Sequence, residues 1–350
     1  MNTPVKNQPP TRKSALVDWL ARLADKHDLL PHTLESASSD ASFRQYYRVH
    51  TANGTLVAMD SPPELEDAAA FIHAGQLIAD TGIRVPEIID SDLDQGFLLL
   101  TDLGRKNYWH LIQEGLPDTR LQQLYRNAIA TLIQMQTAQS SSLPVYDQAR
   151  LIDELSIFED WYVSAYKQIV LTDDERHTLA RVWQRLGKQN ARSAKVFVHR
   201  DYHSPNLMID ENGPDNQLPG IIDYQDAVSG PITYDIASLV MDARTTWEED
   251  QQLDWAIRYW EGARAAGLPV AADFADFHAE YEWMSLQRNL RILGVFARLS
   301  LRDNKHHYLE HLPRVNAYIR QVACRYGDFD PLLRILNRID GTSVTTGYTF

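Results

Sequence analysis

The sequence predicts an α+β protein of two lobes, a small strand-rich one followed by a larger, mostly helical one. Three observations lead there. Between residues 34 and 101, short apolar runs alternate with turn signals, interrupted by one helical stretch. From residue 118 onward most of the chain keeps helical spacing. Within that half, residues 196–223 hold three short apolar strands that deliver polar acceptors: Asp201, Asn206 and Asp223. The expected organisation is an arm over 1–13, a small lobe over 14–103 and a large lobe over 104–350.

Length and charge bound the function. A chain of 350 residues suits two domains or one bilobal unit. A net charge of −13 argues against a general nucleic-acid surface, while leaving room for an anionic ligand met by a local cation. Cys324 is the only cysteine, so no intrachain disulfide forms. Residues 1–13 are polar, with Pro4, Pro9 and Pro10 and no apolar centre, which does not fit a secretory signal. No apolar run approaches the length of a membrane span. These features predict a cytoplasmic monomer working on small molecules, with neither nucleic acid nor membrane as partner.

In order, 14–25 has helical spacing through Leu16, Leu20 and Leu23. Residues 34–49 read as a strand pair around a turn at 38–42, and Asn53-Gly54 as a hairpin turn before a strand at 55–59. Pro62-Pro63 breaks the chain, and 64–81 reads as a helix opened by Glu64, Glu66 and Asp67. Two more strands surround Ile88-Ile89 and Phe97 to Thr101. Asp102-Leu103 then leads into the large lobe, with helices expected at 108–114 and 118–139. The aromatics Phe158, Trp161, Tyr162 and Tyr166 read as core packing in preference to a ligand platform. Helices are further expected at 173–188, 250–267, 274–301 and 309–326, with a less regular end over 328–350.

The chemistry concentrates in His199-Arg200-Asp201-Tyr202-His203-Ser204-Pro205-Asn206 and in Asp223. One carboxylate to orient a hydroxyl, with an amide and a second carboxylate to hold Mg²⁺ against phosphates, is the donor set that phosphoryl transfer needs. The four-residue gap from Asp201 to Asn206 resembles the catalytic loop of protein kinases, and Asp223 stands where their second metal-binding Asp would. The tail Tyr224-Gln225-Asp226 departs from the protein-kinase pattern and resembles instead the aminoglycoside phosphotransferase and choline kinase group, small-molecule kinases of protein-kinase-like fold. The run Gly230-Pro231-Ile232-Thr233-Tyr234-Asp235 closely matches that group as well.

The resemblance implies ATP and Mg²⁺ as cofactors, Asp201 as the catalytic residue and Asn206 and Asp223 as metal ligands. It implies that the turn Ser39, Asp40, Ala41, Ser42 lies over the phosphates and that the backbone of Asp102 and Leu103 reads the adenine edge. Asp235 is then a buried buttress of the catalytic loop, and His199 a support for it; His203 receives no role. Two departures stand out: the turn has no glycine, and residues 55–60 have no lysine where kinases carry one. Arg44 and Arg48 are candidate replacement cations, with solvated surface arginines as the plainer alternative. Three further pieces, at 40–44, 222–235 and 282–299, resemble a subgroup of anomeric kinases of cell-wall amino sugars. That likeness implies N-acetylmuramate and N-acetylglucosamine as acceptors of a C1 phosphate. It makes Arg244, Arg288 and Arg291 candidates for the lactyl carboxylate, with Trp283 as a cover for an apolar sugar face. The residues alone stop at a small-molecule hydroxyl kinase; an aminoglycoside kinase and a nucleotide-binding scaffold without turnover are the alternatives.

Overall fold

A five-stranded antiparallel sheet with helices on both faces forms the first lobe of the structure, a computed structural model that describes residues 11–38, 43–211, 213–214 and 217–341. Helix α1 (Arg12–His27) is capped by the Thr11 hydroxyl, which accepts from the Ser14 N–H. Strands β1 (Leu29–Ser38), β2 (Gln45–Thr51), β3 (Gly54–Asp60), β4 (Ile88–Asp92) and β5 (Phe97–Thr101) lie in the order β1-β2-β3-β5-β4. Side chains alternate between the faces of a strand. Ala58 of β3 and Phe97 and Leu99 of β5 accordingly pack with Leu16, Trp19 and Leu20 of α1. Their neighbours Met59, Leu98 and Leu100 pack on the other face with Phe71, Ala74 and Ile78 of α2 (Ala68–Ala79). Thr51 pairs with Gly54, so the β2–β3 turn is made by Ala52 and Asn53, one residue earlier than expected.

Two boundaries differ from the sequence reading. Helix α1 begins at Arg12, inside the expected arm, because Arg12 is anchored: its guanidinium donates to the Asp60 carboxylate, with Nε at 2.9 Å, and to the Gln95 carbonyl. Helix α2 begins four residues after the expected Glu64. Asp67 is its N-cap, accepting from the N–H groups of Ala69 and Ala70.

The large lobe opens with α3 (Tyr108–Glu114), α4 (Asp118–Met135) and α5 (Gln148–Ile157), the last continuing into a π-helical stretch, Phe158–Tyr166. Helix α6 (Asp173–Arg192) carries a capping box between Thr172 and Glu175. Two short ribbons follow, β6 (Lys195–Val198) with β9 (Val228–Pro231), and β7 (Leu207–Met208) with β8 (Gly220–Ile221). Helices α7 (Tyr234–Val240), α8 (Glu249–Ala265), α9 (Phe274–Asp303), α10 (Leu312–Ala323) and α11 (Asp330–Asp340) complete it. Helix α9 is the axle, packed against α5, α6, α7, α8 and α10. Its approach to the end of α5 requires Gly294, since a Cβ there would come within 2.3 Å of the Ile157 carbonyl oxygen. Within the expected irregular end, residues 330–340 form helix α11 instead: Leu332, Ile335, Leu336 and Ile339 recur at helical spacing and are buried, and residues 342–350 lie outside the described residues. Among the described residues, no helix is long and apolar enough to cross a membrane.

Candidate active site

The floor of the site is a loop whose backbone is held from below. Asp235, at the start of α7, accepts from the N–H of His199 at 2.7 Å and of Arg200 at 3.0 Å. Those bonds fasten a strained turn, for Arg200 sits at φ +77°, where non-glycine residues are rare; Asp223, beyond β8, takes a similar left-handed backbone at φ +66°. Burial pushes the Asp235 carboxyl up to about 6, still leaving it ionised at neutral pH. His199 accepts the Asp201 N–H on Nδ1 (3.2 Å), so Nε2 carries the proton and donates to the Ile222 carbonyl (3.0 Å). The ring thereby joins the Asp201 turn to the strand end that delivers Asp223. Burial lowers its pKa, in keeping with a neutral spacer.

Asp201, Asn206 and Asp223 come together. The Asn206 Nδ2 donates to the Asp201 carbonyl at 2.9 Å and lies 3.3 Å from the Asp223 Oδ2; Gln225 donates to the Asp223 Oδ1 at 2.8 Å. With its nitrogen so engaged, the Asn206 amide leaves its oxygen to a cation. An amide oxygen and a carboxylate are hard donors, and Mg²⁺ in phosphoryl-transfer sites takes only one or two protein ligands beside waters and phosphate oxygens. Among the described residues, no cluster of three or more His, Cys, Asp or Glu forms a closed metal cage. The donor set therefore fits a cation shared with phosphates.

Arginines crowd the other side of Asp201. Glu154 of α5 receives Arg200 at 2.7 Å and Arg291 at 3.0 Å, with Arg150 at 3.6 Å and the Tyr146 hydroxyl also on it. Asp242, just past α7, accepts from the Ser204 hydroxyl at 2.9 Å and the Arg244 N–H at 3.1 Å, with the Arg244 guanidinium at 3.5 Å. Burial opposes the charge on Asp201, but His203, Arg291, Arg200 and Arg288 outweigh it and hold the carboxyl below its ordinary value. His203 itself is pushed down to about 4 by burial and by Arg244, so at neutral pH the arginines keep Asp201 ionised.

The small lobe pairs off both arginines proposed for phosphate. Arg44 is buried against Glu66 at 2.9 Å, one of the three acidic residues at the expected helix start. Arg48 has a different place from the one expected. Its guanidinium grips the Asp102 carboxylate and donates to the Gly104 carbonyl at 3.1 Å, so it clamps the connector between the lobes. Thr55 and the Gly104 N–H complete the shell of Asp102, and Leu103 lies between the clamped residues. Ser39, Asp40, Ala41 and Ser42 lie outside the described residues.

Trp283 is not brought to the site. It packs edge-on against Tyr326 and Phe329, with Arg185 over its ring. Five positions along an α-helix turn a side chain by about 140° from Arg288, which explains the displacement. Phe158 and Tyr162 are core residues, stacked on each other. The sequence gives no sign of the roles of Glu154, Ser204 and Asp242, because the bonds that tie them to the floor, Glu154 to Arg200 and Arg291 and Asp242 to Ser204, span 38 to 137 residues, beyond any local signal.

Known proteins share this frame. Residues 33–274 match the family described as "Phosphotransferase enzyme family". An N-acetylmuramate/N-acetylglucosamine kinase of Neisseria meningitidis serogroup B is 36% identical over 97% of this chain and 99% of its own length. One named likewise in Pseudomonas aeruginosa is 40% identical over 87% of this chain and 88% of its own. Among solved structures, the GDP complex of aminoglycoside 2'-phosphotransferase-IIIa superposes with a TM-score of 0.56 at 14% identity, covering 86% of this chain and 98% of that one. Choline kinase LicA from Streptococcus pneumoniae gives 0.56 at 12% identity, covering 87% and 98%. The fold is thus the bilobal, kinase-like one of these enzymes, and the chain belongs to the phosphotransferase enzyme family.

Proposed function

We propose that the protein transfers the γ-phosphoryl group of ATP to the anomeric C1 hydroxyl of N-acetylmuramate and N-acetylglucosamine, giving the sugar 1-phosphate for peptidoglycan recycling. The observation that carries this reading is the ionised Asp201 on a braced turn whose carbonyl is bonded to Asn206, which also reaches Asp223, in a chain whose relatives are named for that activity. Asp201 accepts a hydrogen bond from the sugar hydroxyl and aims it at the γ-phosphorus. The new bond joins C1–O to phosphorus, the β,γ-bridging bond breaks, ADP leaves, and the hydroxyl proton passes toward Asp201 and on to solvent. An anomeric hydroxyl is more acidic than an ordinary alcohol, so a carboxylate with a lowered pKa is base enough. Asn206 and Asp223 are the residues to hold Mg²⁺, whose chemistry is to neutralise charge on the phosphoryl oxygens. Arg44, fixed by Glu66, is the small-lobe cation nearest in sequence to the nucleotide turn, and Arg48 keeps the connector backbone of Asp102 and Leu103 in place for the adenine. On this reading the enzyme is a cytoplasmic monomer with ATP and a small amino sugar as its partners.

Release of ADP from Mg-ATP with N-acetylglucosamine, N-acetylmuramate or an aminoglycoside tests the assignment. Turnover with both amino sugars is expected. Turnover with the aminoglycoside alone overturns the substrate, and nucleotide binding without turnover on any acceptor reduces the chain to a scaffold.

A further inference from the structure

Arg288 is the anomaly of the large lobe. Its side chain sits on α9 with 4% of the residue exposed, and among the described residues it has no ion-pair partner; its Nη1 is buried without a hydrogen bond. A buried guanidinium without a carboxylate is costly, and native structures seldom keep one without use. The other candidate arginines are engaged, Arg291 by Glu154 and Arg244 by Asp242. A second unsatisfied group belongs to the same floor: His203, 8% exposed, whose Nδ1 is buried without a partner. The two share their surroundings by geometry: about one turn before Arg288 the Ser285 hydroxyl meets Met241, next to Asp242, and about one turn after it Arg291 meets Glu154, while Asp242 in turn accepts from Ser204, next to His203. The electrostatics agree, since the charge of Arg288 acts on Asp201, His203, Asp235 and Asp242. They therefore group with Ser204, Asp242 and Arg244, apart from the Asn206, Asp223 and Gln225 set that faces the phosphates.

We propose that Arg288 and His203 form the acceptor subsite for an anionic substituent, the Arg288 guanidinium taking the carboxylate of an acidic amino sugar and His203 supplying a neutral hydrogen-bond partner beside it. The proposal rests on the amino-sugar reading and deepens it. A carboxylate is the matching ligand because it supplies the charge that Arg288 lacks and accepts from the unpaired Nη1, in a charge-assisted contact. The local balance agrees: Arg150, Arg200 and Arg291 share the single carboxylate of Glu154, so the wall beside Asp201 carries surplus positive charge, the opposite of what a polycationic acceptor needs. Of the three candidate arginines, Arg288 thereby becomes the one that distinguishes the lactyl sugar from the neutral one, Arg244 and Arg291 being engaged by Asp242 and Glu154.

The test combines kinetics with melting, using Arg288→Gln and Arg288→Lys in the full chain. The ratio of kcat/KM for N-acetylmuramate over N-acetylglucosamine falls in Arg288→Gln on the order of tenfold or more, through KM, and Arg288→Lys restores part of it. Without ligand, Arg288→Gln melts at or above the wild type, because an uncompensated buried charge is gone. N-acetylmuramate raises the melting temperature of the wild type and not of Arg288→Gln. An unchanged ratio, an equal loss of kcat for both sugars, or a variant that melts lower without ligand overturns the proposal; the second of these assigns Arg288 to the phosphoryl group and the third to the fold. If the wild type turns over neither sugar, the amino-sugar reading fails. The subsite is then judged by melting alone, and it falls if N-acetylmuramate does not stabilise the wild type.

Discussion

The clamp between the lobes and the floor beside Asp201 handle buried charge in opposite ways. At the clamp, Arg48 and Asp102 consume each other, with Thr55 and both backbone groups of Gly104 filling the remaining valences. Burial opposes the Asp102 carboxylate, but Arg48 and Thr55 hold its pKa below the ordinary value all the same. At the floor, the backbone is braced as tightly by Asp235, yet Arg288 Nη1 and His203 Nδ1 are left unpaired. Charge that serves the fold finds its partner within the chain. Charge that serves a ligand is kept in place by neighbours that do not neutralise it, a local loss of stability set against function.

Removing charge on the two sides should therefore damage different properties. The largest effect belongs to Asp201→Asn, which should lower kcat by roughly 10²–10⁴ while leaving Mg-ATP affinity and the melting temperature close to wild type. A variant within a few-fold of wild type would remove Asp201 from the chemistry. Asp223→Ala should abolish Mg²⁺-dependent nucleotide binding in calorimetry, since the cation loses its charged ligand. Unchanged affinity would make Asp223, at its left-handed backbone, a structural residue only.

At the clamp the loss should appear in the fold. Arg48→Met strands Asp102 and should cost about 3–5 kcal/mol in urea unfolding, whereas Arg48→Met with Asp102→Asn should cost less than the sum of the two single changes. An additive pair would mean that the two side chains do not sense each other.

The smallest effect is a pH dependence centred on His203. Burial depresses its pKa from 6.5 to about 4. Between those values the unfolded chain binds a proton that the folded one refuses, so this group's stability is present above about pH 6.5 and is lost as pH falls. His203→Gln should therefore flatten the fall in unfolding free energy between pH 7 and 5 by about 2 kcal/mol. Asp235 acts in the reverse sense, because its raised pKa of about 6 makes its ionised form the costly one, and its contribution improves on acidification. Only the difference between variant and wild type isolates His203; identical pH slopes would show that its ring is solvated.

The meeting of Asp201, Asn206 and Asp223 on one loop held by Asp235 was legible in the sequence, because the three are set by local spacing at strand ends and Asp235 by its own short helix start. The sequence carried the strands of the small lobe for the same reason, alternation being a local signal. It carried long-range partners poorly. Arg48 looked like a phosphate ligand because Asp102, 54 residues on, could not be assigned to it. Trp283 lies close to Arg288 in sequence, but the helical phase between them turns it away, and it packs against Phe329 instead. Helix α11 was readable from Leu332, Ile335, Leu336 and Ile339 and went unrecognised among the polar residues around it. Which arginine lacked a partner could not be read at all, since pairing is a property of the folded chain.

Phosphorus NMR of the product made from N-acetylglucosamine and Mg-ATP tests the central claim most directly. The account predicts a sugar 1-phosphate with stoichiometric ADP, formed by the wild type and nearly lost in Asp201→Asn. A 6-phosphate, or ATP consumed without any phosphosugar, would contradict it.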